Sequence, residues 1–409
     1  MSSADSQSID PLAMRLDLEY PAPKRGSAVV WGQVGASPFG GMIWQVLHHL
    51  AALRLLGFDT WYVEDSDRLV WDPRTWDLVS DHSQNVSLLS RYMEAAGFGN
   101  RWVFRPPGVN DRCEGRLDLA GLHQLYRHCV VALNVCGSQE VREEHSRIAC
   151  RLYLETDPGW NQVLVAQGDA ARIAELDAHD HHFTYGENIG SDDCRIPVTR
   201  YHWLATRPPV VGQWWSTTRP PAGALTTVAN WKHGSKDVEW QGETWRWSKH
   251  VAFKRFLDLP RTSSLPLELS VGAISQEDRD ELRRHGWRLR ASESLERADA
   301  YRHYIQQSLG EFSVAKEQYV LPRSGWFSDR SACYLAAGRP VILQDTGFAR
   351  YVPTGEGLFA FTGDDDVLAA IDAIRTDYAR HSAAARAIAS EYFDAETLLR
   401  RVLSAVGLL

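Results

Sequence analysis

Twice along this chain of 409 residues an apolar run short enough for a strand leads through a loop into a segment of helical spacing and then into a second strand-like run. The first instance begins at Ser27-Ala28-Val29-Val30-Trp31-Gly32 and passes through the loop Gln33 to Gly41. In Met42 to Leu56 the residues Ile43, Val46, Leu47, Leu50, Leu53 and Leu55 form a stripe with a period of about 3.6; Gly57 ends it, and Phe58 to Glu64 reads as the next strand. Such units build parallel sheets that display ligands at the carboxyl ends of their strands.

Further strands are predicted at Cys129 to Val135 and Arg151 to Leu154, and helices at Ser83 to Ala96 and Ala170 to Ala178. Residues 206–223 then hold Pro208, Pro209, Pro220, Pro221 and Gly223 with little periodicity, the signature of a connection between domains. Beyond it the alternation restarts: strands at Ala224 to Ala229 and Leu267 to Val271, helices at Trp247 to Leu257 and Gln276 to His285, and strands near Gly310 to Val314 and Pro340 to Leu343. The chain is too long for one compact domain to be the default. The expected plan is a polar leader at 1–25, an α/β domain at 26–205, a linker at 206–223, a second α/β domain at 224–390, and a C-terminal helix at 391–409 with the option of packing back on the first domain. Two doubly wound, Rossmann-like domains facing a cleft is the economical architecture.

Composition narrows the partners. A formal charge of -8 without a Lys/Arg run argues against nucleic acid. No apolar stretch reaches membrane-spanning length, Met1 to Asp10 lacks a signal-peptide pattern, and a cytoplasmic location is expected. Cys113, Cys129, Cys136, Cys150, Cys194 and Cys333 show neither a CxxC pair nor zinc spacing, so reduced thiols and no metal site are expected. The 16 tryptophans suit stacking on a sugar or base, although cores take most indoles.

The most informative stretch is Gly325-Trp326-Phe327-Ser328-Asp329-Arg330, followed by Ser331 to Leu343, where Ala337-Gly338-Arg339-Pro340-Val341-Ile342 reads as a helix stopped by glycine, a tight turn and a buried strand. Gln344-Asp345-Thr346-Gly347-Phe348 and Pro353 to Phe359 come next. This order resembles the glycosyltransferase B (GT-B) superfamily, and within it the bacterial family 1 and family 4-like members, where a helix ending in "A-x-G-x-P-V-I" leads to a strand and a glycine loop beside the sugar nucleotide. The resemblance implies a GT-B fold, an acceptor site in the first domain and a UDP-, GDP- or dTDP-sugar as donor substrate in the second, with no tightly bound cofactor. Many members place a ribose-binding glutamate five residues before the glycine; here that position is Cys333.

A diphosphate needs backbone N–H groups at a helix start and a few cations. Ser328 and Asp329 are placed as caps and Arg330 in the first turn, where an anionic partner or a nearby acid would offset the macrodipole. Asp329 and Glu356 are the acidic candidates near the donor, with Thr346 and Gly347 in the following loop. Lys316 and Arg323 flank a strand-to-loop transition and could neutralise the leaving nucleotide. Lys249 opens a helix where several families of the superfamily hold phosphate, though the usual "R-x-x-x-x-K-G" pattern is absent. In the first domain, Gly40 and Gly41 close a glycine-rich loop able to approach a pyrophosphate, or simply let the strand meet the helix. Asp157, just past a strand, is the first choice for a base if the reaction inverts; a turn acid before Pro158 and Gly159 is the plain alternative. Of His179, His181 and His182, His182 is the one carried forward to contact the acceptor, with Glu187 approaching the cleft.

The expected function is transfer of a sugar, a hexose in the simplest case, from a nucleotide diphosphate to a small-molecule or glycan acceptor without a metal. A sugar-nucleotide epimerase of the same plan, or a binding protein that keeps the fold, are the alternatives.

Overall fold

The computed structural model describes residues 14, 16–72, 75, 77–109, 112–221, 223–232 and 236–409. The predicted leader therefore lies outside the described residues up to position 13 and at 15, while Met14 and Leu16 are buried in the first domain's core.

The first sheet contains β1 (Ser27–Trp31), β2 (Asp59–Glu64), β3 (Trp102–Phe104), β4 (Glu114–Gly115), β5 (Cys129–Val135), β6 (Arg151–Glu155), β7 (His181–Thr184) and β8 (Trp203–Ala205). Its order is β8-β7-β6-β5-β1-β2-β3-β4, parallel throughout except that β4 runs antiparallel to β3. The second sheet holds β9 (Leu225–Asn230), β10 (Leu267–Gly272), β11 (Arg288–Ala291), β12 (Gly310–Ser313), β13 (Val341–Gln344) and β14 (Leu358–Phe361), in the order β11-β10-β9-β12-β13-β14. All five of its pairings are parallel. Counted within each domain, both sheets grow outward from their first strand and then jump to its other side. The jump leaves a crevice at the carboxyl ends of β1 and β5 and another at those of β9 and β12, which is where doubly wound sheets bind ligands.

Central strands are covered on both faces, and so they are continuous apolar runs: in β1, Ala28, Val29, Val30 and Trp31 are all fully buried. The helix Gly40–Leu55 is likewise buried on nearly every side. The last helix, Ala395–Ala405, packs on it, and Ala298–Gln307 of the second domain packs beside it. The chain thus crosses between domains twice, and the crossings touch: Val210 N–H donates to Phe393 O at 2.7 Å, and Ala395 N–H donates to Val210 O at 3.1 Å.

Two stretches differ from the expectation in form. The proline-rich segment 206–223 is not a bare tether, because its short helix Gly212–Trp215 seats Trp214 and Trp215 in the core. Trp215 lies 4.9 Å from the Trp44 ring and Trp214 stacks at 5.5 Å on His48, whose pKa is held down at about 3 by burial and the neighbouring His49. The helix expected over Trp247 to Leu257 is shorter, His250–Lys254. The Asp237 carboxylate takes the backbone N–H of Trp247 at 2.7 Å and holds that residue out of helical pairing.

Candidate active site

The two crevices face one another, and one contact joins them. After β12 the chain runs Val314-Ala315-Lys316, with Ala315 N–H fixed by Gln344 Oε1 at 3.1 Å. Lys316 Nζ then sits 2.9 Å from the centre of the Trp247 ring and donates at 3.0 Å to Oδ1 of Asp157, which follows β6 in the first domain. The Tyr319 hydroxyl donates to the same oxygen. Behind them Tyr319 stacks at 4.3 Å on Trp326, whose indole N–H donates to Thr156 O at 2.9 Å. Asp157, Lys316, Tyr319 and two indoles therefore form one bridge between the domains.

Lys249 stands beside this bridge. It is 8% exposed, and among the described residues its amine makes no hydrogen bond and no ion pair. Burial, and then the charges of Arg330 and Lys316, push its pKa far below the usual lysine value. Lys316 is lowered to about 8 by burial, against the pull of Asp157. Burial would raise Asp157, but the Lys316 and Lys236 ammonium groups and the Tyr319 hydroxyl outweigh it and leave its pKa below the ordinary value. Asp329 is pushed up to about 6, chiefly by burial and in part by Asp157, against the hydrogen bond that Gln45 Nε2 donates to it at 3.2 Å. The site thus holds an ionised carboxylate, a second carboxyl poised to protonate, and a buried lysine amine without a hydrogen-bond or ion-pair partner among the described residues.

Between the first crevice and the Lys236 segment lies a polar cavity of about 360 Å³, lined by Gln33, Gly137, Glu155, Asp157, Trp160 and Lys236 among others. At its floor Glu155 accepts from Thr184 Oγ1 (2.6 Å), Gln162 Nε2 (2.7 Å) and Asn161 Nδ2 (2.7 Å), and burial raises its pKa to about 7.

Several residues picked out in the sequence have other duties. Arg330 donates through Nε to Glu311 (2.5 Å), through Nη1 to Val228 O (2.6 Å) and through Nη2 to Ser313 Oγ (2.6 Å); it ties its helix to β9 and β12 rather than meeting an external anion. The loop before Gly40 does not offer its N–H groups to a phosphate, because Gly35 N–H and Ala36 N–H already donate to Glu64 at 2.7 and 2.5 Å. Gly40 itself is filled from the second domain: a Cβ there would lie 2.8 Å from Tyr301 Cβ and 2.9 Å from Leu295 O, and Gly41 also faces Tyr301. His182 bonds Leu176 O at 2.9 Å and packs on Tyr201 at 4.8 Å, away from Asp157. Glu187 is held by both arms of Arg207, at 2.7 and 2.9 Å. Arg323 pairs with Asp193 at 3.1 Å, and the exposed Glu356 pairs with Arg380. Thr346 donates to Trp326 O at 2.6 Å, and Gly347, at φ +99°, turns the loop after β13. Ser328 is buried at the N-cap of Asp329–Ala336 with no side-chain cap bond.

The structure therefore brings together Asp157, Lys249, Lys316 and Asp329. It adds Lys236, Trp247, Tyr319, Trp160 and Glu155, which the sequence reading did not select. Their one sequence signal is position, since Glu155 ends a strand beside the switch point of its sheet. Elsewhere, ligand atoms of Asp65, Glu144 and His145 lie within 4.8 Å of one another, but Asp65 already pairs with Arg142 at 2.7 Å and Arg105 at 3.2 Å.

No profile of a known protein family matches the chain, and no curated protein does. Solved structures do match it over nearly its whole length. The chain is similar to Anabaena HepE (Alr3699) in complex with UDP-glucose, with 12% identity, a TM-score of 0.55, and 94% of this chain and 100% of that one covered. It is similar to an alpha-glucosyltransferase bound to UDP and a 13-mer DNA (10% identity, TM-score 0.55, coverage 93% and 99%). It is also similar to AviGT4, a glycosyltransferase involved in avilamycin A biosynthesis (12% identity, TM-score 0.51, coverage 93% and 96%). Two facing doubly wound domains with these relatives in shape define the GT-B glycosyltransferase fold. Among the described residues no helix is long and apolar enough to cross a membrane, and all six cysteines are free.

Proposed function

We propose that the chain is a Leloir-type glycosyltransferase that moves a hexose from a nucleotide diphosphate, UDP in the first instance, to an acceptor bound in the first domain. The observation that carries this reading is Lys249, a buried lysine whose amine has no hydrogen-bond or ion-pair partner among the described residues, next to Lys316 at the switch point of the second sheet, where a bound diphosphate would draw a proton onto it. Burying a charge is costly unless it is paired, and a diphosphate is the partner that such a crevice holds. The neighbours bound to UDP and UDP-glucose support the choice of nucleotide.

In this mechanism the diphosphate draws Lys316 away from Asp157. The freed carboxylate takes the proton of the acceptor hydroxyl, whose oxygen attacks the anomeric carbon. The bond from that carbon to the β-phosphate oxygen breaks, and its electron pair stays on the nucleotide, where Lys249 and Lys316 neutralise it. Two ammonium groups at that position let the reaction run without a metal. Free thiols support a reducing compartment, which we take to be the cytoplasm. The charge of -8 favours a small-molecule or glycan acceptor over DNA.

Calorimetric titration tests the donor half: UDP and UDP-glucose should bind the wild type, and Lys249→Ala should weaken them by about 1.5 to 3 kcal/mol, roughly 10- to 100-fold. Absence of binding by any of UDP, GDP, dTDP and their sugars would remove the reading.

A further inference from the structure

The cavity beside Asp157 has an uneven distribution of partners. Each of its acids is already answered: Asp157 by Lys316 and Tyr319, Glu175 by Arg172 at 2.7 Å, and Glu155 by three neutral donors. Two of its cations have no direct anionic partner. Arg68, exposed on the segment after β2, and Lys236, contributed by the second domain, both line the cavity; among the described residues their side chains make no hydrogen bond or ion pair, and Lys236 rests over Trp160 (5.0 Å) and Trp247 (4.9 Å) while its charge helps to keep Asp157 ionised.

The remaining wall is aromatic and hydrogen-bonding. Arg172 lies 4.4 Å over one indole, that of Trp160, and Lys236 lies 5.0 Å from the same ring. Asn161 is 5% exposed and lines the cavity; its Nδ2 serves Glu155, but its Oδ1 is buried without a donor. A buried acceptor left open is destabilising, and a small turn of the amide toward the cavity would let a ligand hydroxyl satisfy it. At about 360 Å³ the space lies at the small end of small-molecule sites, enough for a monosaccharide and too small for a duplex or a long glycan.

We propose that the acceptor is a monosaccharide or polyol carrying an acidic group, a carboxylate or a phosphate monoester, held between Arg68 and Lys236 with a hydroxyl on Asn161 and another at Asp157. The site draws one cation from each domain, so this acceptor also fastens the two domains across the cleft. The inference rests on the transferase reading for the identity of the cavity as an acceptor site, but binding of the acid sugar does not require the donor.

Titration of the full-length protein without nucleotide separates the two. Glucuronate or glucose 6-phosphate should bind at least 10-fold more tightly than glucose, and which of them does so tells carboxylate from phosphate. Arg68→Gln and Lys236→Gln should each weaken that binding about 10-fold or more while the UDP titration of Arg68→Gln stays at the wild-type value. Equal affinity for glucose, no binding by either acid sugar, or unchanged binding in both variants overturns the proposal. Inorganic phosphate binding as tightly as glucose 6-phosphate overturns its saccharide half. Failure of UDP alone breaks the donor reading and leaves this one standing.

Discussion

Arg330 and Lys249 are both basic side chains largely enclosed at the carboxyl end of the second sheet, and both are sequence candidates for the diphosphate, yet the structure treats them in opposite ways. Arg330 has a carboxylate, a carbonyl and a hydroxyl around its guanidinium. Lys249 has none. A cation inside a folded chain is either part of the scaffold or waiting for something outside it, and the count of its internal partners tells which. The first domain repeats the lesson with backbone groups: its glycine loop looks like a phosphate cradle, but Glu64 already occupies the N–H groups that would do the binding.

The sharpest way to break this contrast is Arg330→Ala. Removing one member of a buried ion pair strands Glu311, so unfolding free energy in urea should fall by about 3 to 5 kcal/mol, whereas Lys249→Ala should leave stability unchanged or raise it. Equal losses would show that both lysine and arginine serve the fold.

Glu155→Gln probes the cavity floor by pH. Burial raises its folded-state pKa from the ordinary 4.5 to about 7. The folded state therefore holds the extra proton between those values, and wild-type stability declines relative to the variant as pH rises through that window. The difference between the two proteins should change by about 3 kcal/mol from pH 4 to pH 8. A difference that stays flat would mean the carboxyl ionises as it does in water.

Lys316, at about 8, gives a smaller effect on binding. Only the ammonium form attracts a diphosphate, so UDP affinity should hold to about pH 8 and then fall by up to about tenfold per unit. Lys316→Arg, which keeps its charge, should flatten that decline. The smallest effect belongs to Glu356→Ala: its pair with Arg380 is exposed, so the urea midpoint and UDP binding should both match the wild type.

The two-domain plan was legible in the sequence because buried parallel strands favour apolar runs, as in Ala28 to Trp31 of β1, Val130 to Leu133 of β5 and Val341 to Leu343 of β13. The short strands β3, β8 and β11 were not, since three or four residues show too little pattern to separate from loop. Within the site, Asp157, Lys249, Lys316 and Asp329 could be found because charge next to a strand end or helix start is visible in one dimension. That Arg330, Glu187, Arg323 and Glu356 are paired within the fold was not legible, because their partners, Glu311, Arg207, Asp193 and Arg380, are 19, 20, 130 and 24 residues away. Lys236 and Trp247 escaped notice because cation and ring meet only when the segment 236–247 folds over on itself.

The paired crossings of the chain, where Val210 bonds to Phe393 and Ala395, carry a mechanical consequence. One tether would let the domains swivel in any direction. Two strands of backbone fastened at one spot act as the pins of a hinge, leaving opening about that seam as the easy motion and twisting as the hard one. Asp157 and Lys316 join the domains at a second point, so opening about that seam would have to part their ion pair.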